Sequence, residues 1–231
     1  MRKILFFILF VCIGTSSFAQ GFGLGYQFDI GWSNKSNPSS AYDQSIRTYI
    51  HNGFIRFHNT GGNVALKFMI GYRSDTIRFC NYSGFLASDG SSMMQYNTNA
   101  LLRRNAWRFG VINQYQFHVY KARIVFSLNT GLFYERTIRA IRSGSLDGRR
   151  YLLDEELNRN NIGMMAGGEI RFVCFTLGLK YEKLFRDVLN HDYILSQELS
   201  VDNSTELRGL RLNPGMVYLF LGINLDFFDN R

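Results

Sequence analysis

Hydrophobic and polar residues alternate along several long stretches of the chain, most regularly at residues 216–228. One face of that stretch is entirely apolar, with Val217, Leu219, Leu221, Ile223, Leu225 and Phe227. The opposite face is mixed and includes Tyr218, Gly222, Asn224 and Asp226. A period of two residues is that of a β-strand, whose successive side chains point to opposite faces. The pattern therefore predicts a strand with one face in an apolar environment.

The same period predicts eight strands in all. They cover residues 22–32, 46–58, 64–79, 102–120, 123–138, 162–172, 175–185 and 216–228. The second strand is ambiguous because Tyr49 and Ile55 lie on one face while Ile50 and Phe54 lie on the other. A β-bulge in this strand would explain the change of face.

The connections between these strands alternate in length. Residues 59–63, 121–122 and 173–174 are short connections, whereas residues 33–45, 80–101, 139–161 and 188–213 are long and polar. Outer-membrane barrels have short turns on the periplasmic rim and long loops on the outer rim. A sheet in a bilayer must also close, because its edges would otherwise leave unpaired backbone groups in lipid.

We therefore predict an all-β fold, an eight-stranded antiparallel up-and-down transmembrane β-barrel with short periplasmic turns and long extracellular loops. The even strand number places both termini on the periplasmic side, in a protein integral to the cell outer membrane. Strands longer than the roughly 9 to 11 residues that span a bilayer should protrude above it. A soluble β-sandwich with a phenylalanine-rich core is the alternative fold.

The first 19 residues have the three parts of a secretory signal peptide. Arg2 and Lys3 precede an apolar run at residues 4–13, and small residues lead to Ala19. The prediction is a signal peptide at residues 1–19 and a single barrel domain at residues 20–231. Loss of Arg2 and Lys3 lowers the formal net charge from +8 to +6.

The beginning and the end of the predicted barrel carry a family resemblance. The junction Ala19-Gln20, the opening Gly21-Phe22-Gly23-Leu24-Gly25-Tyr26 and the closing Val217-Tyr218-Leu219-Phe220-Leu221-Gly222-Ile223-Asn224-Leu225 are the residues that carry it. They resemble the small outer-membrane β-barrel proteins of Bacteroidetes-type, Gram-negative bacteria. The resemblance implies a porin-like barrel architecture and no particular activity.

Charged residues of both signs fall on the predicted inward face. They are Asp29, Lys67, Arg108, Glu135, Glu169, Arg171, Lys180, Glu182 and Asp226. Side chains nearly fill the interior of an eight-stranded barrel, so we expect a neutralising network in the lumen, and expect Glu169, Arg171, Lys180 and Glu182 to share it. A narrow ion path is the alternative. The surviving cysteines, Cys80 and Cys174, are expected at opposite ends of the barrel, too far apart for a disulfide.

Catalytic chemistry has only scattered candidates. His191, Asp192 and Ser196 fall in the last long connection, and His51 and His58 lie in the second strand. A hydrolase acting on lipid at the outer rim would use such groups, but no local signature joins them. The four histidines lack metal-ligand spacing. We predict no catalytic, metal or cofactor site.

The connection after the fifth strand is rich in arginine. Arg139, Arg142, Arg149 and Arg150 are interleaved with acidic residues. Guanidinium groups bind phosphate and carboxylate bidentately, so these four are predicted to contact lipopolysaccharide headgroups or a surface partner. A salt-bridged solvated loop is the alternative. Nucleic acid is not an expected partner of an exported barrel.

These observations predict a non-enzymatic integral outer-membrane barrel with a side-chain-filled lumen. Its surface loops would serve structural, adhesion or interaction roles, with outer-membrane lipid, lipopolysaccharide and an envelope protein as partners. A component of a secretion or envelope-assembly machine is the alternative function. The rim lipid hydrolase is a third.

Overall fold

The computed structural model describes residues 21–36, 42–59, 63–86, 93–119, 124–144, 148–152, 155–190 and 215–227. These ranges contain nine strands: β1 (Gly21–Ser36), β2 (Tyr42–His58), β3 (Val64–Leu86), β4 (Met93–Val119), β5 (Ile124–Gly144), β6 (Gly148–Tyr151), β7 (Asn160–Phe172), β8 (Phe175–Leu184) and β9 (Met216–Phe227). Within them, no helix is long and apolar enough to cross a membrane.

Eight of the strands form a closed ring. Each strand pairs antiparallel with its neighbours in the order β1-β2-β3-β4-β5-β7-β8-β9, and β9 returns to pair with β1. The short strand β6 pairs only with the end of β5, where Ile141 lies opposite Tyr151, and therefore stands outside the ring. The predicted fold class, an eight-stranded closed antiparallel barrel, is confirmed.

Several strands are longer at the loop end than the sequence predicted. β1 and β2 remain paired as far as Ser36 opposite Asp43, and β3 and β4 as far as Leu86 opposite Met93. The prediction of long loops at 33–45 and 80–101 was therefore wrong, because most of both segments forms projecting β-hairpins. A hairpin that extends beyond an apolar environment needs no apolar face, so its strands lose the hydrophobic alternation while the backbone ladder continues.

The second strand, β2, contains no bulge, contrary to the prediction. Its register with β1 and with β3 is continuous from Tyr42 to His58. Ile50 and Phe54 point into the barrel, and Tyr49 and Ile55 point outward. The register shift in the barrel lies elsewhere, between β4 and β5, where Ile138 is the extra residue between the partners of Asn105 and Ala106.

The remaining strands alternate as predicted. In β8 every second side chain is exposed, and Leu177, Leu179 and Tyr181 face outward while Lys180 and Glu182 are buried inside. The apolar face of β9 is likewise the outer one. In this barrel the apolar face points away from the interior, which is the reverse of a soluble protein.

Glycines on the inner face make room for large aromatic rings on neighbouring strands. A Cβ atom added at Gly25 would overlap the ring of Phe54, and one added at Gly178 would overlap the ring of Phe220. The same relation holds for Gly31 with Tyr218 and for Gly163 with Phe133. These rings occupy the space inside the barrel that a side chain at each glycine would need.

Two features mark the short-turn end of the barrel. Val173 and Cys174 form the two-residue connection between β7 and β8, and Val173 has φ of 55°, a region that a β-branched residue rarely adopts. Cys174 is a free thiol. Cys80 lies in the distal part of β3, so the two cysteines are at opposite ends of the barrel, as predicted.

Candidate functional site

The largest group of charges in the lumen is centred on two carboxylates near the loop end. Glu135 accepts hydrogen bonds from Arg73 (Nη1–Oε1 2.8 Å) and from Arg104. Asp75 pairs with the same two arginines, at 2.8 Å from Arg73 Nε and 3.4 Å from Arg104 Nη1. Thr48 Oγ1 donates a further bond of 2.6 Å to Asp75. The two carboxylates therefore share two arginines, and each charge has more than one partner.

The same network continues down the barrel through Glu182. Arg108 binds Glu182 with both terminal nitrogens, at 2.9 and 3.0 Å, and lies 3.9 Å from Glu135. Lys180 Nζ lies 2.7 Å from Glu182 and 2.6 Å from Asp29. A bidentate arginine–carboxylate pair fixes orientation as well as charge. Glu182 thus joins the upper charges to those at mid-barrel.

Lys67 contacts this network through an amide and not through a carboxylate. Its Nζ donates to Gln27 Oε1 at 2.7 Å, and Gln27 Nε2 donates to Asp29 at 2.6 Å. The ammonium also lies 3.9 Å from the centre of the Phe54 ring, a cation–π arrangement. Lys67 and Lys180 line a small cavity of about 10 Å³, roughly the space of one water molecule.

Two smaller clusters occupy the lumen toward the short-turn end. Asp226 pairs with Arg56 and, at 2.8 Å, with Arg171. The Asp226 side chain is 24% exposed, whereas both arginines are buried. This cluster lies beside the seam between β1 and β9, where the barrel opens toward the turn end.

The second small cluster holds Glu169 with neutral partners. Gln114 Nε2 donates to Glu169 Oε1 and Asn129 Nδ2 donates to Oε2, both at 2.9 Å. The expected network of Glu169, Arg171, Lys180 and Glu182 is therefore divided. Glu169 and Arg171 bind different partners, because neighbouring inward positions in a tilted barrel point toward different strands.

The structure places all nine of the predicted inward charges on the inner wall, and distributes them among these three clusters. Asp29, Lys67, Arg108, Glu135, Lys180 and Glu182 belong to the large network, Arg171 and Asp226 to the second cluster, and Glu169 to the third. Sequence reasoning missed four more members: Arg56, Arg73, Asp75 and Arg104. Their alternation with outward residues could have identified all but Arg56, which lies in the ambiguous second strand.

The lumen is electrostatically close to balanced and is filled. Among the described side chains it holds seven cations, namely Arg56, Lys67, Arg73, Arg104, Arg108, Arg171 and Lys180. Six carboxylates oppose them: Asp29, Asp75, Glu135, Glu169, Glu182 and Asp226. Two cavities of about 10 Å³ each lie among these side chains, and neither has the width of a porin channel.

An apolar cluster lies between the charges and the loop end of the barrel. Ile77 and Leu102 are one inward position beyond Asp75 and Arg104, and both are buried. They belong to a hydrophobic cluster that continues down the lumen through residues such as Met69 and Ile112, and whose members toward the loop end include Ile46, Ala140, Leu152, Leu157, Leu184, Val188 and Leu189. A bridge between Leu157 and Leu189 ties the segments after β6 and β8 together. The loop-end members of this cluster cover the upper end of the charged lumen.

The candidate catalytic residues are not brought together in the described part of the chain. His51 faces outward, with its Nδ1 2.5 Å from the hydroxyl of Tyr26, whereas His58 is buried inside. His191, Asp192 and Ser196 lie outside the described residues. Within the described ranges, no group of three or more His, Cys, Asp or Glu side chains could hold a metal ion.

The outer surface of the barrel is a broad apolar band. Across the described residues, 35 large hydrophobic side chains are exposed, far more than the scattered residues or single patch on a soluble monomer. On each strand of the ring, the length of this band is close to the roughly 9 to 11 residues that cross a bilayer. Toward the loop end the band finishes in a belt of Trp and Tyr: Trp32, Tyr49, Tyr72, Trp107, Tyr134 and Tyr181. Such residues favour the membrane–water interface.

The predicted surface arginines lie at the loop end of β5 and in β6. Arg139 is exposed beside the bulge at Ile138. Arg142 lies in β5 directly opposite Arg150 in β6, and Arg149 precedes Arg150 in β6. The side chains of these last three are outside the described residues.

The geometry defines a closed, charge-filled β-barrel with an apolar exterior. No protein-family model matches the chain, and no curated protein matches it. Solved structures do. Neisserial surface protein A is 14% identical, with a TM-score of 0.42, over 89% of this chain and 97% of that one.

Two further barrels have similar scores. The N-terminal β-barrel domain of Pseudomonas aeruginosa OprF is 13% identical, with a TM-score of 0.38, over 89% of this chain and 100% of that one. The third is Ail, the attachment invasion locus protein of Yersinia pestis, solved with the heparin analogue sucrose octasulfate. It is 12% identical, with a TM-score of 0.35, over 90% of this chain and 99% of that one. Similarities at this level do not bear on function.

Proposed function

We propose that this chain is a non-enzymatic integral protein of the bacterial outer membrane that presents its loop end at the cell surface for structural, adhesion or interaction roles. The observation that carries the proposal is the reversal of polarity, with an apolar band outside and a filled, charged lumen inside. A closed sheet leaves no backbone edge unpaired, which lipid requires. A filled lumen leaves the wall and the loop end as the surfaces available to partners.

The proposed orientation is supported by the unequal ends of the barrel. The strand ends that the short connections join are His58 with Val64, Val119 with Ile124, and Phe172 with Phe175. They lie at the same end as Gly21 and Phe227, and we assign this end to the periplasm. The opposite end, with the projecting hairpins, would face the exterior. There Arg139, with Arg142, Arg149 and Arg150, would contact lipopolysaccharide headgroups or an envelope protein. Export would depend on the predicted signal peptide at residues 1–19, which lies outside the described residues, and the resemblance to Bacteroidetes-type barrels fits this route.

Membrane fractionation combined with electrophoresis tests the assignment. The full-length protein should sediment with outer membranes, and unboiled protein in detergent should migrate differently from boiled protein because a closed barrel resists mild detergent. Recovery as a folded monomer in the soluble periplasmic fraction would contradict the proposal.

Planar bilayer recording tests the filled lumen. Purified protein should give no discrete openings of porin size, and Lys180→Glu should create none. Stable large openings whose ion selectivity shifts with Lys180→Glu would show that the lumen conducts, and the structural role would have to be replaced by a transport role.

A further inference from the structure

Four arginines form a continuous group on the outer surface of β2 to β5, and we call Arg47, Arg78, Arg103 and Arg139 the arginine patch. Thr76 lies directly opposite Arg47 on one side and Arg103 on the other. Arg78 is therefore a diagonal neighbour of both Arg47 and Arg103, and Arg139, opposite Asn105, is a diagonal neighbour of Arg103. Diagonal neighbours have Cα atoms about 7 to 8 Å apart, so one group of phosphates can reach several guanidinium groups.

Arg47, Arg78 and Arg103 of the arginine patch have no acidic partner among the described side chains of this surface. Among the outward-facing side chains described on β2 to β5, none is a carboxylate. Arg47, Arg78 and Arg103 are exposed and form no ion pair or hydrogen bond with any described residue. Like charges on neighbouring strands repel. A bound anion would remove that repulsion.

The position of the patch relative to the aromatic belt indicates which anion. Arg47 is one outward position beyond Tyr49, and Arg103 is two beyond Trp107. At about 3.3 Å per residue, these arginines lie roughly 7 and 13 Å beyond the belt. Since Trp and Tyr mark the interface, the patch lies at the level of lipid headgroups. The residues between the arginines are the small polar Ser74, Thr76 and Asn105, which leave room for a ligand.

We propose that the arginine patch binds the phosphate groups of a phosphorylated glycolipid of the outer leaflet, a site that rests on the proposed outer-membrane location. Bidentate guanidinium–phosphate pairs are the contacts this surface offers. The site is on one side of the barrel. On the opposite wall, Lys183 is the basic side chain described at the corresponding level of β7, β8 and β9.

Binding of two lipids by the reconstituted full-length protein tests the site. Wild-type protein in phosphatidylcholine nanodiscs should bind bisphosphorylated lipid A about tenfold or more tightly than its dephosphorylated form, which corresponds to about 1.4 kcal/mol or more. The double variant Arg78→Gln/Arg103→Gln should lose this preference. Lys183→Gln, which removes a single cation from the other wall, should keep it.

Three outcomes would overturn the site. These are equal wild-type binding of the two lipids, an unchanged preference in the double variant, and complete displacement of the lipid by low millimolar inorganic phosphate, which would indicate a site for free anions. Heat-shifted migration of each variant verifies that the barrel has folded. A wild-type protein that folds in the membrane but shows no lipid preference refutes the site alone, whereas failure to enter the membrane refutes the proposed function.

Discussion

The inner and outer faces of the same strands are built on different principles, and β8 shows the contrast at single-residue spacing. Outside, Leu177, Leu179 and Tyr181 present interchangeable apolar surface to their surroundings. Inside, Lys180 and Glu182 each have defined partners at 2.6 to 3.0 Å. The outer face requires only that its side chains be apolar, whereas the inner face requires specific charged atoms within bonding distance of their partners.

The comparison teaches where specificity resides in such a barrel. Lipid is a liquid that adapts to any apolar side chain, so outer positions should tolerate apolar exchange. A buried charge that loses its partner has no solvent to replace it, and costs several kcal/mol. Stability effects should therefore separate by face more clearly than by strand.

The largest effect is expected from Arg108, which is buried and binds Glu182 with two bonds. Arg108→Ala leaves Glu182 and Glu135 with one cation fewer, and should lower the free energy of unfolding by about 3 to 5 kcal/mol. Urea unfolding in lipid vesicles measures this. Phe109→Leu, the next residue but on the outer face, is the control and should change the value by less than about 1.5 kcal/mol. A larger loss of stability in Phe109→Leu than in Arg108→Ala would contradict the expectation that the inner face tolerates substitution less than the outer face.

The next effect tests the outer face directly. Leu221→Arg places a charge in the apolar band and should destabilise the barrel by about 2 to 4 kcal/mol if the residue lies near the bilayer midplane. Leu221→Ile keeps an apolar side chain and should be nearly neutral. The same unfolding assay applies. Comparable stability of the Arg and Ile variants would mean that Leu221 does not face lipid.

A smaller effect distinguishes between possible partners of Arg171. The structure pairs Arg171 with Asp226, and Glu169 with two amides. A double-mutant cycle of Arg171→Ala with Asp226→Ala should give a coupling energy of about 1 kcal/mol, reduced by the partial exposure of Asp226. The matched cycle with Glu169→Ala should give a value near zero. A larger coupling to Glu169 would restore the single network predicted from sequence.

The smallest effect concerns the turn at Val173, which is 65% exposed and so contributes little packing. Asparagine accepts a positive φ more readily than a β-branched residue. Val173→Asn should therefore raise the free energy of unfolding by up to about 1 kcal/mol, while Val173→Ile should leave it unchanged. A loss of stability in the Asn variant would show that the valine side chain has a role of its own.

The sequence predicted the strands well where one face is purely apolar, as in β8 and β9. The face prediction failed in β2 because Ile50 and Phe54 are apolar residues that point into the lumen. Both faces of this strand therefore carry hydrophobic residues. Strand prediction also failed in the projecting hairpins, where hydrophobic contrast disappears although backbone pairing continues.

Within the lumen, the inward charges were predictable but their partners were not. Arg73 on β3 reaches Glu135 on β5 across the intervening strand β4. That contact depends on the stagger of the strands around the ring and on the length of the side chain. Neither can be predicted from the alternation of inward and outward residues along one strand. Arg171 and Glu169 show the same limit, since adjacent inward positions of one strand point to different partners.

The seam between β1 and β9 also constrains the order in which the barrel can form. It joins Phe22 to Phe227 and Trp32 to Val217, so the ring closes between strands at opposite ends of the sequence. Contacts of such long sequence separation form slowly.

Until β9 pairs, β1 and β8 each present an open edge to other chains. A chain that stops before Met216 should therefore self-associate through these edges. Pairing of β9 with β1 and β8 prevents this association.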